Sequence, residues 1–186
     1  MSMPADTPAG RSALDPARAC DLAAFDVLMR QYERLVLVTA LRLTGSLADA
    51  QDISQDVFLK LYRNLSKLDP ATLSSWLYRV TVNACHDQRR LRRPEDPVDY
   101  AEQLPSGAPD AQQSLTDAER RRVLTLSLRM LSEKERAALV LRDLEGLSTG
   151  EVAQVLGSTE ATVRSQVSKA RVKVKDFVER YFRSRT

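Results

Sequence analysis

The sequence predicts an all-α protein of two small helical domains, joined by an acidic, proline-containing flexible linker, the C-terminal domain being a helix-turn-helix. Three observations predict it. No period-two run rich in Val, Ile or Thr and bounded by turn pairs occurs in the 186 residues, so strands are not expected. Apolar residues instead recur at three- and four-residue spacing on both sides of residues 94–114. That intervening segment, PEDPVDYAEQLPSGAPDAQQS, holds five acids, four prolines and no Lys or Arg. Prolines remove amide donors and resist regular structure, so the segment reads as a linker without a core of its own.

Residues 1–20 contain no apolar stretch of the kind a secretory signal needs and read as a short disordered tail. From residue 21, Leu22, Phe25, Leu28, Tyr32, Leu35, Val36 and Leu43 give one helix, which Gly45 stops. Ser46, with Asp49 three positions on, signals the start of a second helix, whose stripe is Ala50, Ile53, Val57, Phe58, Leu61 and Leu65. After the turn KLDPA a third helix is expected from about Ser74 to Leu91, and the first domain closes at residue 93. Three helices of this length can enclose a modest core.

The second domain, residues 115–186, ends in GLSTGEVAQVLGSTEATVRSQVSKARVKVKD. Ser148 and Glu151 form a capping box that starts a helix, and Gly157 supplies the left-handed residue that ends it near Leu156. Ser158 or Thr159 is the N-cap of the next helix. There Val163, Val167, Ala170 and Val174 make one apolar stripe. The opposite face carries Ala161, Thr162, Ser165, Ser168 and Lys169, with Arg164, Arg171 and Lys175 along one flank and Lys173 on the other. Short polar side chains allow close approach to base edges while long basic ones reach phosphates, which suits a helix in a major groove. Residues 163–186 hold eight Lys or Arg against two acids, although the whole chain carries a formal charge of only +3. A solvated amphipathic helix pair is the plainer alternative; the one-sided charge favours DNA binding.

Composition is that of an ordinary globular protein, 43% hydrophobic and 28% charged. No apolar run approaches the ~20 residues a bilayer span requires, so no membrane insertion is expected. Two cysteines, Cys20 and Cys85, do not make a disulfide framework, which points to a reducing cytoplasm. Cys85 and His86 are adjacent, but neighbouring helix side chains diverge by about 100° and no further ligands stand out, so no metal is expected. His86 is the single histidine, and no nucleophile, base and orienting group or glycine-rich phosphate loop is visible. No enzyme, cofactor or small-molecule substrate is therefore expected.

Two further patterns stand out in the first domain. On DAQDISQDVFLKLYRNL the carboxylates of Asp49, Asp52 and Asp56 recur at i, i+3 and i+7, with Gln55 beside them. The helix dipole accounts for acids in the first turn, but Asp56 lies deeper, and a stripe of like charges invites a basic partner surface. On SSWLYRVTVNACHDQRRLRR, Trp76, Tyr78, Arg79 and Asn83 offer stacking, positive charge and an amide, the groups that hold an unpaired base. Trp76 fits a core position equally well.

These residues resemble the bacterial sigma factors of the extracytoplasmic function class, promoter-recognition subunits of RNA polymerase. The resemblance covers roughly Asp21 to Phe177. DAQDISQDVFLKLYRNL is similar to the family's core-binding helix, WLYRVTVNACHD to its Trp-Leu-x-x-Ile-x-x-Asn helix, and LSEKERAALVLRDLEGLSTGEVAQVLGSTEATVRSQVSKAR to its second conserved domain. The resemblance implies that Asp49, Asp52, Gln55 and Asp56 dock on the basic coiled coil of the polymerase's largest subunit, with the beta flap a second contact. It implies that the loop Ser66 to Leu73 and the helix after it open the downstream promoter element, with Asn83 lining a base pocket and Lys60, Tyr78 and Arg79 near the strand. Arg142, Arg164, Ser165, Ser168 and Lys169 fall where the family reads the upstream element. The acidic linker would thread the channel later used by RNA, and an anti-sigma factor would hold the protein inactive.

Departures from the family pattern include Gln51 in place of Glu, STEAT in place of Gly-Thr before the recognition valine, and Gln166 where Arg is frequent. The loop Ser66 to Leu73 has no aromatic residue. An alternative reading is a two-domain LuxR-like helix-turn-helix regulator that binds DNA without polymerase. Its sensing half would show strands or a ligand pocket, and residues 21–93 offer neither.

Overall fold

The computed structural model describes the backbone of residues 22–91 and 111–183 and the side chains of residues 23–90 and 119–183. The tail 1–20, Cys20 and most of the linker lie outside the described residues. The first half consists of α1 (Leu22–Thr44), α2 (Leu47–Asn64), two short 3₁₀ turns (Leu65–Lys67 and Pro70–Thr72) and α3 (Leu73–Leu91). The second consists of α4 (Ala111–Arg129), α5 (Glu133–Leu139), a wide turn at Val140–Leu144, α6 (Thr149–Leu156) and α7 (Glu160–Arg183). No strand occurs among the described residues.

The helix ends are where the local chemistry puts them. Gly45 adopts φ 72° after α1, a conformation that favours glycine, and the Ser46 hydroxyl then accepts the Asp49 amide at 3.2 Å to open α2. Asp69 accepts the Ala71 amide at 2.9 Å, with Pro70 pre-set at the first position of the turn that leads into α3. Ser132 with Glu135 and Ser148 with Glu151 are both complete capping boxes. Gly157 ends α6 at φ 59°, and the Thr159 hydroxyl accepts the Thr162 amide at 3.2 Å to start α7.

Helix α4 differs from expectation, because it opens at Ala111, inside the segment read as linker. Pro109 is the last proline before the end of the chain, and the residues that follow, Ala111, Gln112, Gln113 and Ser114, are compatible with helix.

Leu28, Val36, Val57, Leu61 and Leu77 are fully buried between α1, α2 and α3, as are Leu141, Leu147, Val152 and Ala170 in the second half. These residues belong to one continuous apolar cluster that spans both halves. The halves therefore pack against each other, α3 against α6 and the end of α1 against the turn Val140–Leu144.

A buried cation sits at this junction. Arg136 donates to the Leu128 carbonyl at 2.8 Å and the Leu131 carbonyl at 3.2 Å, and across to the Leu43 carbonyl near the end of α1 at 2.8 Å. Carbonyls at helix C-termini lack intrahelical partners, so one guanidinium satisfies the ends of two helices, one from each half. Burial pushes its pKa down to about 10, which still leaves it protonated at neutral pH.

Candidate nucleic-acid interface

Helix α2 buries Ala50, Ile53, Ser54, Val57, Phe58 and Leu61, which directs Asp52, Gln55 and Asp56 to solvent. Neither Asp52 nor Asp56 has a cationic partner among the described residues. Asp49 is different. It shares their helical face by spacing, but it lies at the border of the core and is only 4% exposed. Burial, then the nearby Asp49 carboxylate, push the thiol pKa of Cys85 on α3 up to about 12. The exposed stripe is thus Asp52, Gln55 and Asp56, with Asp49 turned inward.

An apolar component of this surface was not read from the sequence. Leu59 and Tyr62 continue the outward face of α2 and are 53% and 46% exposed. With Phe25, Met29 and Phe58 they line an open groove of about 1070 Å³ between α1 and α2, and Asp52 and Gln55 form part of its rim. Phe25 meets Tyr62 edge to face at 5.1 Å. The spacing 52, 55, 59, 62 was the available signal, since Leu59 and Tyr62 fall off the core stripe at i, i+3, i+7 and i+10.

Helix α3 presents Trp76, Arg79 and Asn83 at i, i+3 and i+7 on one face. Arg79 and Asn83 are exposed, while Trp76 is half-buried and packs against the core. Lys60 is exposed on α2. Tyr78 does not join this face. It lies about 200° around the helix from Trp76, is 2% exposed, and donates its hydroxyl to Glu145 Oε2 at 3.4 Å. Burial, then the Glu145 carboxylate, push the phenol pKa far up, so it stays neutral and a donor. The second half accounts for its position: a sequence read one domain at a time could not supply Glu145.

Helix α7 buries Val163, Val167 and Ala170 and exposes Thr162, Arg164, Ser165, Ser168, Lys169 and Arg171. Its cations are held to different degrees. Asp143 grips Arg171 with two bonds, at 2.8 and 2.7 Å, which raises the Arg171 pKa. Lys173 donates to both Glu135 oxygens at 2.8 Å, and this is the main reason the Glu135 pKa is lowered. Arg164 pairs with Glu160 at 3.0 Å within the helix, in an exposed i, i+4 arrangement. Lys169 has no ion-pair partner among the described residues. Arg142 is half-buried and donates to the Leu147 carbonyl at 3.1 Å, just before the capping box of α6. The Thr162 and Thr159 hydroxyls are hydrogen-bonded to each other at 2.9 Å.

Residues 28–95 match the family Sigma-70 region 2, and residues 119–174 match Sigma-70, region 4. The ECF RNA polymerase sigma factor SigE of Mycolicibacterium smegmatis is 32% identical over 183 residues, which span 96% of this chain and 71% of that protein. The ECF RNA polymerase sigma-E factor of Escherichia coli K12 is 30% identical over 170 residues, 86% of this chain and 88% of the relative. The chain belongs to the ECF sigma factors. The region 2 match has no place in a stand-alone LuxR-like regulator, and it decides between the two readings.

Solved structures agree with the sigma factor fold. The structure of CnrH in complex with the cytosolic domain of CnrY superposes with a TM-score of 0.67 at 25% identity, covering 92% of this chain and 97% of that one. The sigma factor RpoE in complex with the anti-sigma factor NepR from Bartonella quintana gives 0.66 at 22% identity over 85% and 98%, a likeness of fold. As a sigma factor the protein is a transcription initiation factor. No described helix is long and apolar enough to cross a membrane.

Proposed function

We propose that this sigma factor docks on core RNA polymerase chiefly through the outward face of α2, opens the downstream promoter element with α3 and reads the upstream element with α7. The α2 surface carries the reading. Two exposed carboxylates without cationic partners among the described residues, Asp52 and Asp56, stand beside an apolar groove edged by Leu59 and Tyr62. A basic amphipathic element such as a coiled coil in the polymerase's largest subunit would satisfy both at once, apolar contact supplying affinity and charge supplying register. The beta flap is the corresponding contact for the second half.

The functional units under this reading are residues 21–93 for polymerase docking and promoter melting, 94–114 as connector and 115–186 for upstream recognition. Trp76, Arg79 and Asn83 supply a stacking surface, a cation and an amide to an unpaired base, and Lys60 follows the strand. Thr162, Ser165, Ser168 and Lys169 face the major groove, while Arg142, Arg164 and Arg171 flank it toward phosphate. The protein contributes binding rather than catalysis and works in the cytoplasm with the polymerase. Because CnrH and RpoE were solved with the cytosolic domain of CnrY and with NepR, we extend sequestration by an anti-sigma factor to this chain.

Co-purification with core polymerase tests the assignment. The parent should form a holoenzyme that footprints promoter DNA. A chain that footprints palindromic DNA unaided, and fails to bind core enzyme, would overturn it.

A further inference from the structure

The apolar cluster that joins the halves is incomplete where the end of α1 passes α4. On α1, Val38 and Leu41 lie one turn apart on one face, and on α4 Arg121, Leu124 and Leu128 share a face in the same way. These two faces line a cavity of about 190 Å³, which Arg136 of α5 also borders. Each half supplies one wall, so neither half read alone reveals the space.

The walls combine apolar surface with uncompensated positive charge. Val38, Leu41 and Leu124 are half-buried and Leu128 is buried. No carboxylate lines the cavity, whereas Arg42, Arg121, Arg129 and Arg136 do. Arg42 is committed to Glu145. Arg136 is held by backbone carbonyls, which satisfy its donors without cancelling its charge. Burial first and then the Arg89 guanidinium lower its pKa, Glu133 opposing them and Arg129 adding to them. Arg121 is half-buried and has no ion-pair partner among the described residues.

A cation withdrawn from water without a counter-charge is costly, so an anion entering here gains strongly from it. An inorganic anion would leave the apolar walls unused, and a hydrocarbon would leave the charge unanswered. About 150 Å³ of apolar cavity holds one benzene molecule, so the space suits a single ring bearing a carboxylate.

We propose that the cavity between α1 and α4 binds a small aromatic monocarboxylate of benzoate size, its ring against Val38, Leu41, Leu124 and Leu128 and its carboxylate on Arg121, beside Arg136. Such a ligand touches both halves, binds the folded chain and not the unfolded one, and stabilises the fold by mass action. The site does not depend on how α2, α3 or α7 are used.

Titration of benzoate into the full-length protein, followed by calorimetry and by thermal unfolding, tests the site. Benzoate should bind one to one with a Kd of about 1 mM or tighter and raise Tm saturably. Benzamide keeps the ring without the charge and acetate the charge without the ring, and each should bind at least about tenfold more weakly. Arg121→Gln should weaken benzoate at least about fivefold. Arg122→Gln, at an exposed position on the same helix, should leave it within about twofold of the parent. Leu124→Trp should fill the cavity and abolish binding with the far-UV helical signal retained. The site is overturned by absence of saturable benzoate binding, by benzamide or acetate binding as tightly, by an equal loss in the Arg121 and Arg122 variants, or by undiminished binding to a folded Leu124→Trp chain. If Leu124→Trp lowers the helical signal, the two arginine variants decide.

Discussion

The outward faces of α2 and α7 are both charged, and they hold that charge in opposite ways. On α2 the carboxylates of Asp52 and Asp56 have no cationic partners among the described residues and stand beside an open apolar groove. On α7 the chain supplies carboxylates to several of its own cations: Asp143 to Arg171, Glu135 to Lys173 and Glu160 to Arg164. The α2 charge is left for a partner to neutralise. The α7 charge is positioned in advance, which lowers the ordering cost of meeting a rigid duplex. Under the proposed roles, docking on polymerase and reading DNA call for two kinds of surface, and Lys169, an exposed cation of the recognition face with no ion-pair partner among the described residues, resembles the first kind.

The largest effect is expected on α2. Replacing Asp52 and Asp56 together by Lys should cost several kcal/mol of core affinity, because like charges would meet across the interface, with no loss of far-UV helical signal. Titration of labelled core enzyme at moderate salt measures it. Unchanged affinity would remove the stripe from the interface.

Next comes the unpaired cation. Lys169→Ala should cost about 1 to 3 kcal/mol on the preferred promoter and relax preference at one upstream base. Single-base promoter variants transcribed at two salt concentrations distinguish this from a phosphate contact, whose loss weakens all promoters alike and makes the salt dependence shallower.

Asp49 sharpens the contrast from within α2. Asp49→Ala should lower stability by about 1 kcal/mol, because a carboxylate in the first turn of α2 meets the positive end of the helix dipole, and leave core affinity unaltered. Chemical denaturation alongside the core titration would show a stability change without a binding change. A binding change as large as that from Asp52 would return Asp49 to the interface.

The smallest effect is expected at the brace. Asp143→Ala frees Arg171, whose pair is largely exposed, with side chains 61% and 25% accessible, so stability should move by no more than about 1 kcal/mol. The released guanidinium should instead strengthen binding to all promoters slightly and steepen its salt dependence.

Much of the fold was legible because helix ends are written locally. Gly45 and Ser46, Ser148 with Glu151, and Gly157 each act within four residues, and each boundary lies where those residues put it. The exposed face of α7 was legible for the same reason, since its apolar stripe fixes the opposite side. What escaped involves partners distant in sequence. Asp49 satisfies the spacing of an exposed stripe, but it is buried close to Cys85 of α3, while Asp56 is exposed. Tyr78 carries the right chemistry for a strand, yet Glu145, 67 residues away, holds it inside. Nothing in the local sequence singles out Arg136, and only the convergence of the ends of α1 and α4 gives its donors acceptors in the interior. Leu59 and Tyr62 were passed over because attention to the core stripe treats whatever lies outside it as solvent face.

The proposed function requires that this chain, added to core polymerase, select promoters through two separate elements. Transcription of a genomic fragment library by the reconstituted holoenzyme, with start sites mapped by sequencing, measures that directly. The expected result is a set of start sites preceded by two motifs at constant spacing, lost when Asp52 and Asp56 are replaced by Lys and altered at the upstream motif by Lys169→Ala. Start sites no different from those of core enzyme alone, or a single motif bound equally well without polymerase, would contradict it.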